Sequence, residues 1–115
     1  MVAARPQIID QGDVVWVNFN PTRGHEQRGR RPALVVSPKI YNAKTGLALV
    51  CPITAHVKGY PFEVPISIRD VTGVVLSDHI RSLDWKERKV EKIQKAPDSV
   101  LREVQQHLRE LLVLG

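Results

Sequence analysis

A chain of 115 residues with 43% hydrophobic and 25% charged residues has the make-up of one folded domain, large enough to bury a core and too apolar to be disordered. Its single cysteine, Cys51, excludes an internal disulfide framework and is expected to be a small buried core residue, and no apolar run approaches the ~18 residues of a membrane span. The net charge of +5 comes from two segments: residues 23–31 hold four Arg against Glu26 (+3) and residues 81–95 hold six Lys or Arg against three acids (+3), so the remainder sums to −1. Clustered positive charge at a pI near 9.7 is the electrostatic footprint of a nucleic-acid binder. For 81–95, where the signs alternate, a solvated face is the plain alternative. The opening MVAARPQIIDQGD is too polar for a signal peptide, which predicts a cytosolic protein.

In chain order, Gly12-Asp13 opens VVWVNF, where Val15, Val17 and Phe19 alternate with Val14, Trp16 and Asn18, a first strand. Residues 20–30, NPTRGHEQRGR, have Pro, two Gly and no periodicity and are predicted to form a loop. RPALVVSP is a second strand, with Pro32 at its start and Pro38 after its end, and KIYNAKTG is a connection ending at Gly46. LALVCPIT is a third strand whose Pro52 implies an edge or a bulge; FEVPISI is a fourth, assigned to an edge by Pro65. Thr72-Gly73 is read as a turn into VVLSDHI, a fifth strand, and Arg81 to Lys95 as one or two bent strands. From Pro97, Leu101, Val104, Leu108 and Leu111 share one face while Arg102, Gln105, Gln106 and Arg109 face away, and Asp98 suits the first turn: an amphipathic helix. The expected fold is mainly β, a small, partly open barrel capped by a C-terminal α-helix, with residues 1–115 as a single unit.

The four histidines, at 25, 56, 79 and 107, have no metal-ligand spacing, and neither a glycine-rich phosphate loop nor a Gly-x-Ser-x-Gly elbow is present. No metal or cofactor is expected. Polar residues at strand ends remain: Arg31 entering strand two, Thr54 ending strand three, Asp78 and His79 interrupting strand five, His25 and Glu26 in the loop. Brought together, they supply a guanidinium for phosphate, a hydroxyl, and candidate acids and bases, the kit for cleaving RNA through its own 2′-hydroxyl. Histidine is the side-chain type that changes charge near neutrality, which makes His25 and His79 proton-transfer candidates. Each has a structural alternative: Arg31 could pair with Asp78, Thr54 could be a β-former, and His56 and His107 are read as surface residues.

GDVVWVNFNPTRGHEQRGRRPALVVSP resembles the opening block of the MazF/PemK toxins of bacterial toxin–antitoxin systems, with its Gly-x-Glu-Gln-x-Gly-x-Arg-Pro run. KTGLALVCPIT, KGYPFEV and GVVLSDHIRSLDW are similar to later blocks, the first two to the chromosomal MazF branch. The resemblance implies an SH3-like (CcdB/MazF-type) barrel, a cytoplasmic homodimer, and metal-independent, sequence-specific cleavage of single-stranded mRNA to 2′,3′-cyclic phosphate and 5′-hydroxyl ends. Position by position it implies catalytic roles for Arg31, Thr54 and Glu26, with His25, Asp78 and His79 as acid–base candidates. RNA contacts are expected at Arg23, Gln27, Arg28, Arg30, Lys58 and Arg81. His79 stands where many relatives have Gln, and Leu76 where the plasmid branch has Arg. A MazE-like antitoxin with an acidic, flexible C-terminal segment is the implied partner, along with DNA binding in its company. A CcdB-like toxin that binds gyrase and a non-catalytic RNA-binding barrel are the rival readings.

Overall fold

The computed structural model describes residues 7–19 and 29–114. Seven strands form one antiparallel sheet: β1 (Asp13–Asn18), β2 (Arg30–Val35), β3 (Leu47–Thr54), β4 (Glu63–Ile68), β5 (Val71–Leu76), β6 (Arg81–Asp84) and β7 (Glu91–Lys95). Among the described residues two α-helices complete it, α1 (Lys39–Thr45) and α2 (Asp98–Leu111). The sheet runs β4-β5-β3-β2-β1-β7, with β6 also paired to β3. It curls without closing, because β4 and β7 end the order and do not pair. None of the described helices is long and apolar enough to cross a membrane.

The central strands read as near-continuous apolar runs because both of their faces are buried. Val14, Leu34 and Cys51 belong to the core that α2 covers with Val100 and Val104. Their neighbours Val15, Ala33 and Val50 point the other way, into a second core with Leu83 and Trp85. Asp13, 1% exposed, opens β1 with its carboxylate 3.0 Å from Lys95 Nζ and 3.4 Å from Lys92 Nζ. These lysines on β7 neutralise a charge that would otherwise be costly to bury.

Three sequence expectations are corrected. KIYNAKT is the helix α1, closed by Gly46 at φ +73° with its N–H on the Asn42 carbonyl. Its one buried residue is polar, so it shows no apolar stripe. Pro52 lies in the most interior strand rather than at an edge. On one side β3 pairs with β2; on the other, Leu47–Val50 pair with β6 and Ile53–Thr54 with β5. The Val36 N–H bond to the Leu49 carbonyl fixes the hydrogen-bonded rungs with β2, and Pro52, three residues on, falls on a non-bonded rung. Its missing donor therefore faces the gap where β6 has ended and β5 has not begun. Third, Thr72-Gly73 is no turn: β5 begins at Val71, after a bend at Asp70 (φ +65°), and stops at Leu76, so Asp78 and His79 sit beyond it in a 3-10 turn, Ser77–His79. Gly73 is needed for close approach: a Cβ there would overlap the Thr54 carbonyl oxygen and lie 2.8 Å from its carbon. Pro65 on β4 does lie on an edge strand, 81–95 supplies β6 and β7, and α2 starts after Pro97.

The second core is tied by one polar side chain. Asn42, fully buried, donates from Nδ2 to the Ile9 carbonyl (2.8 Å) and the Ser37 carbonyl (3.1 Å), and accepts from the Ser37 hydroxyl. Its backbone carbonyl accepts the Trp85 indole N–H at 3.0 Å. Asn42→Ala should lower the unfolding free energy by about 3 kcal/mol in urea denaturation, since buried partners lose their bonds with no water to replace them. Gly73→Ala should cost a similar amount, roughly 3 kcal/mol, and also displace the end of β3, so that any activity depending on Thr54 falls in protein that is still folded.

Candidate nucleic-acid interface

The register of β2 on β3, Ala33 opposite Pro52 and Leu34 opposite Cys51, extended by two residues sets Arg31 opposite Thr54. Both line one cleft of about 240 Å³. Its floor is apolar, from Pro52, Ile53 and Leu76, and its rim carries His56, Lys58, Tyr60, Glu63 and His79. The Thr54 hydroxyl oxygen accepts the His56 N–H at 3.1 Å, leaving its own proton to donate. Arg31 is exposed and forms no ion pair with any described residue; the alternative of a salt bridge to Asp78 is not what the structure contains. Asp78 instead lies 3.8 Å from His79 Nε2.

Neighbouring positions in β2 face opposite ways, and the two arginines there have different fates. The Arg30 guanidinium is 3.1 Å from the Glu91 carboxylate and lies over the Trp16 ring at 5.7 Å. It is not among the residues lining the cleft. Lys58 is in the cleft, with Nζ 5.9 Å from the Tyr60 ring centroid. Arg81 is exposed and covers the Phe19 ring at 5.0 Å. Arg23, His25, Glu26, Gln27 and Arg28 lie outside the described residues. The points where that segment leaves β1 and returns to β2 are held: the Phe19 N–H donates to the Gly29 carbonyl at 3.0 Å, and Arg88 Nη1 to the Phe19 carbonyl at 2.7 Å.

Sequence reading singled out neither Arg88 nor the rim residues Tyr60 and Glu63, and His56, read as a surface residue, lies on the same rim. The signal for the rim was present only as the quoted KGYPFEV block, whose spacing places Glu63 behind the loop it fastens. Cys51 behaves as expected of a core residue: burial, with a smaller contribution from the Asp78 carboxylate, pushes its thiol up to about 12, so it is no nucleophile at neutral pH. Among the described residues no three His, Cys, Asp or Glu side chains cluster as metal ligands would.

Comparison with known proteins narrows what this cleft belongs to. The model of the "PemK-like, MazF-like toxin of type II toxin-antitoxin system" family matches residues 10–112. The chain is 51% identical over 81 residues to the endoribonuclease toxin MazF of Escherichia coli K12, covering 70% of this chain and 73% of that one. It is 34% identical over 114 residues to endoribonuclease PemK of Escherichia coli, 94% of this chain and 85% of that one. Among solved structures, MazF in the MazE–MazF complex of Deinococcus radiodurans superposes with a TM-score of 0.85 at 48% identity, over 96% of this chain and 100% of its own. With sequence and fold matched over nearly the whole length, this chain belongs to the PemK-like, MazF-like toxins of type II toxin–antitoxin systems.

Proposed function

We propose that this protein is a cytosolic endoribonuclease toxin that cuts single-stranded RNA through attack of the RNA's own 2′-hydroxyl on the adjacent phosphate. The observation that carries this reading is the placement of Arg31, without an ion-pair partner among the described residues, opposite Thr54 at the mouth of one cleft. The 2′-oxygen forms a bond to phosphorus as its proton passes to a base; the P–O5′ bond breaks as the 5′-oxygen takes a proton from an acid. The products are a 2′,3′-cyclic phosphate and a 5′-hydroxyl. Arg31 offers paired N–H donors to the phosphoryl oxygens, where negative charge accumulates in the transition state. The Thr54 hydroxyl, with one lone pair taken by the His56 N–H, adds a directed donor. His79 on the rim and Asp78, 3.8 Å from its Nε2, are the acid–base candidates within the described residues, with Glu26 and His25 as candidates from the segment outside them.

The Deinococcus toxin occurs as a MazE–MazF complex. For this chain the proposed partners are a second copy and a MazE-like antitoxin whose acidic, flexible segment covers the basic surface and competes with RNA. A CcdB-like gyrase binder and a non-cutting RNA-binding barrel would both leave a long RNA intact, whereas the proposed nuclease yields discrete fragments.

Arg31→Ala should lower the rate of cleavage about 10²- to 10³-fold with an unchanged circular dichroism spectrum, because the lost interaction is strongest in the transition state. Arg31→Lys should be nearly as poor, since an ammonium lacks the planar fork. Thr54→Val should lose activity while keeping shape. Near-normal cleavage by folded Arg31→Ala would refute the assignment. In a separate test, a substrate with 2′-deoxyribose at the cut position should bind and remain whole, and cleavage of the ribose substrate should persist in excess EDTA. Activity lost on chelation and restored by Mg²⁺ or Zn²⁺ would contradict the proposed mechanism.

A further inference from the structure

In the segment between β3 and β4, residues 55–61 are exposed yet fastened. Glu63, the first residue of β4, accepts the Lys58 N–H on one carboxylate oxygen (3.1 Å) and the Gly59 N–H on the other (2.9 Å). Its own N–H donates to the Tyr60 carbonyl at 3.1 Å. Gly59 takes φ +83°, a conformation that lets the chain double back onto that carboxylate. The result presents Tyr60, 62% exposed, on the rim of the cleft that holds Arg31 and Thr54, with the Lys58 ammonium over its ring, 5.9 Å from the centroid. An aromatic ring left in water needs no explanation alone. A ring held by a clasped loop, above an apolar floor and beside a phosphate-seeking arginine, has the chemistry of a stacking platform.

We propose that Tyr60 and the floor made by Pro52, Ile53 and Leu76 form a subsite for one nucleobase flanking the scissile phosphate, with Glu63 as the positioning residue that holds the platform ready. This rests on the RNA-cleaving reading and extends it to specificity. A nucleobase fits on three counts. Its faces are apolar and flat, suiting the ring and the floor. The backbone it hangs from is anionic and passes between Arg31 and Lys58. The cleft of about 240 Å³ is smaller than pockets for drug-sized ligands, and holds one base without a stacked neighbour. Because the Glu63 clasp already orders the loop, stacking need not spend its favourable energy on fixing the chain.

The test uses the full-length protein and an RNA oligonucleotide built on its mapped cut site. Tyr60→Ala should raise KM about tenfold, the scale of losing one base–aromatic stack, with kcat changed less than about twofold; Tyr60→Phe should restore the parent value. Glu63→Ala should raise KM in the same direction, with the thermal midpoint showing that the protein is folded. Binding is then measured on oligonucleotides made uncleavable by 2′-deoxyribose at the cut and carrying one abasic position at a time. For the parent, one abasic position beside the cut should weaken binding about tenfold, and the same position should cost Tyr60→Ala nothing further. Losses that multiply independently would overturn the subsite. So would an unchanged KM in Tyr60→Ala, even if the variant were inhibited less well by an antitoxin peptide, which would assign the platform to the protein partner. Absence of any cleavage by the parent would sink the nuclease reading with it, so the two failures are distinguishable.

Discussion

Strand β3 has to satisfy three neighbours at once, and the geometry of the molecule follows from how it divides itself among them. One edge serves β2 over Val50–Pro52; the other serves β6 for its first half and β5 for its last two residues. A backbone cannot leave that much polar surface unpaired inside a core, so the point of hand-over must fall where no donor is present. Pro52 supplies that point. Past it, β3 bends toward β5 and its end approaches so closely that only glycine fits at position 73. The cleft lies at the end of β3 past this hand-over, lined by Pro52, Ile53 and Thr54 of β3 with Arg31 of β2 and Leu76 of β5.

Charge is distributed over this frame according to the two-residue repeat of β2. Adjacent arginines emerge on opposite faces, one neutralised by Glu91 and stacked on Trp16, the other presented to the cleft. The first is a surface pair of the kind that adds little to stability, though its contact with the indole fixes the edge where β1, β2 and β7 meet. The second forms no ion pair among the described residues, and an exposed guanidinium next to an apolar floor is suited to a ligand bearing its own charge. The same logic separates the lysines: Lys92 and Lys95 balance buried Asp13, while Lys58 stands at the rim.

Two polar clasps give the scaffold and the site their different characters. Asn42 is buried and fully engaged, so it makes the second core specific and rigid. Glu63 is in contact with solvent and grips only main-chain donors, so it shapes a loop without itself engaging the side chains of that loop. A recognition surface needs both: a base that does not yield, and side chains that are placed but not consumed by internal bonds.

By itself the sequence determined most of the β architecture, the terminal helix and the membership of a toxin family. Short apolar runs such as VVWV and LALV, rich in β-branched residues and bounded by Pro and Gly, favour strands, and the 3- and 4-residue spacing from Leu101 to Leu111 favours a helix. It also named Arg31 and Thr54, through a motif whose order along the chain survives any folding. Only the tertiary structure decided that Pro52 is interior, that Gly73 is a contact and not a turn, and that Arg30 and Arg31 part company. Those outcomes depend on which strand lies beside which, a relation between residues far apart in the chain that no local pattern encodes. The Glu63 clasp is short-range in sequence, but its meaning is likewise tertiary. A glutamate four residues after a glycine is unremarkable until the sheet brings the loop it holds to the edge of the Arg31 cleft.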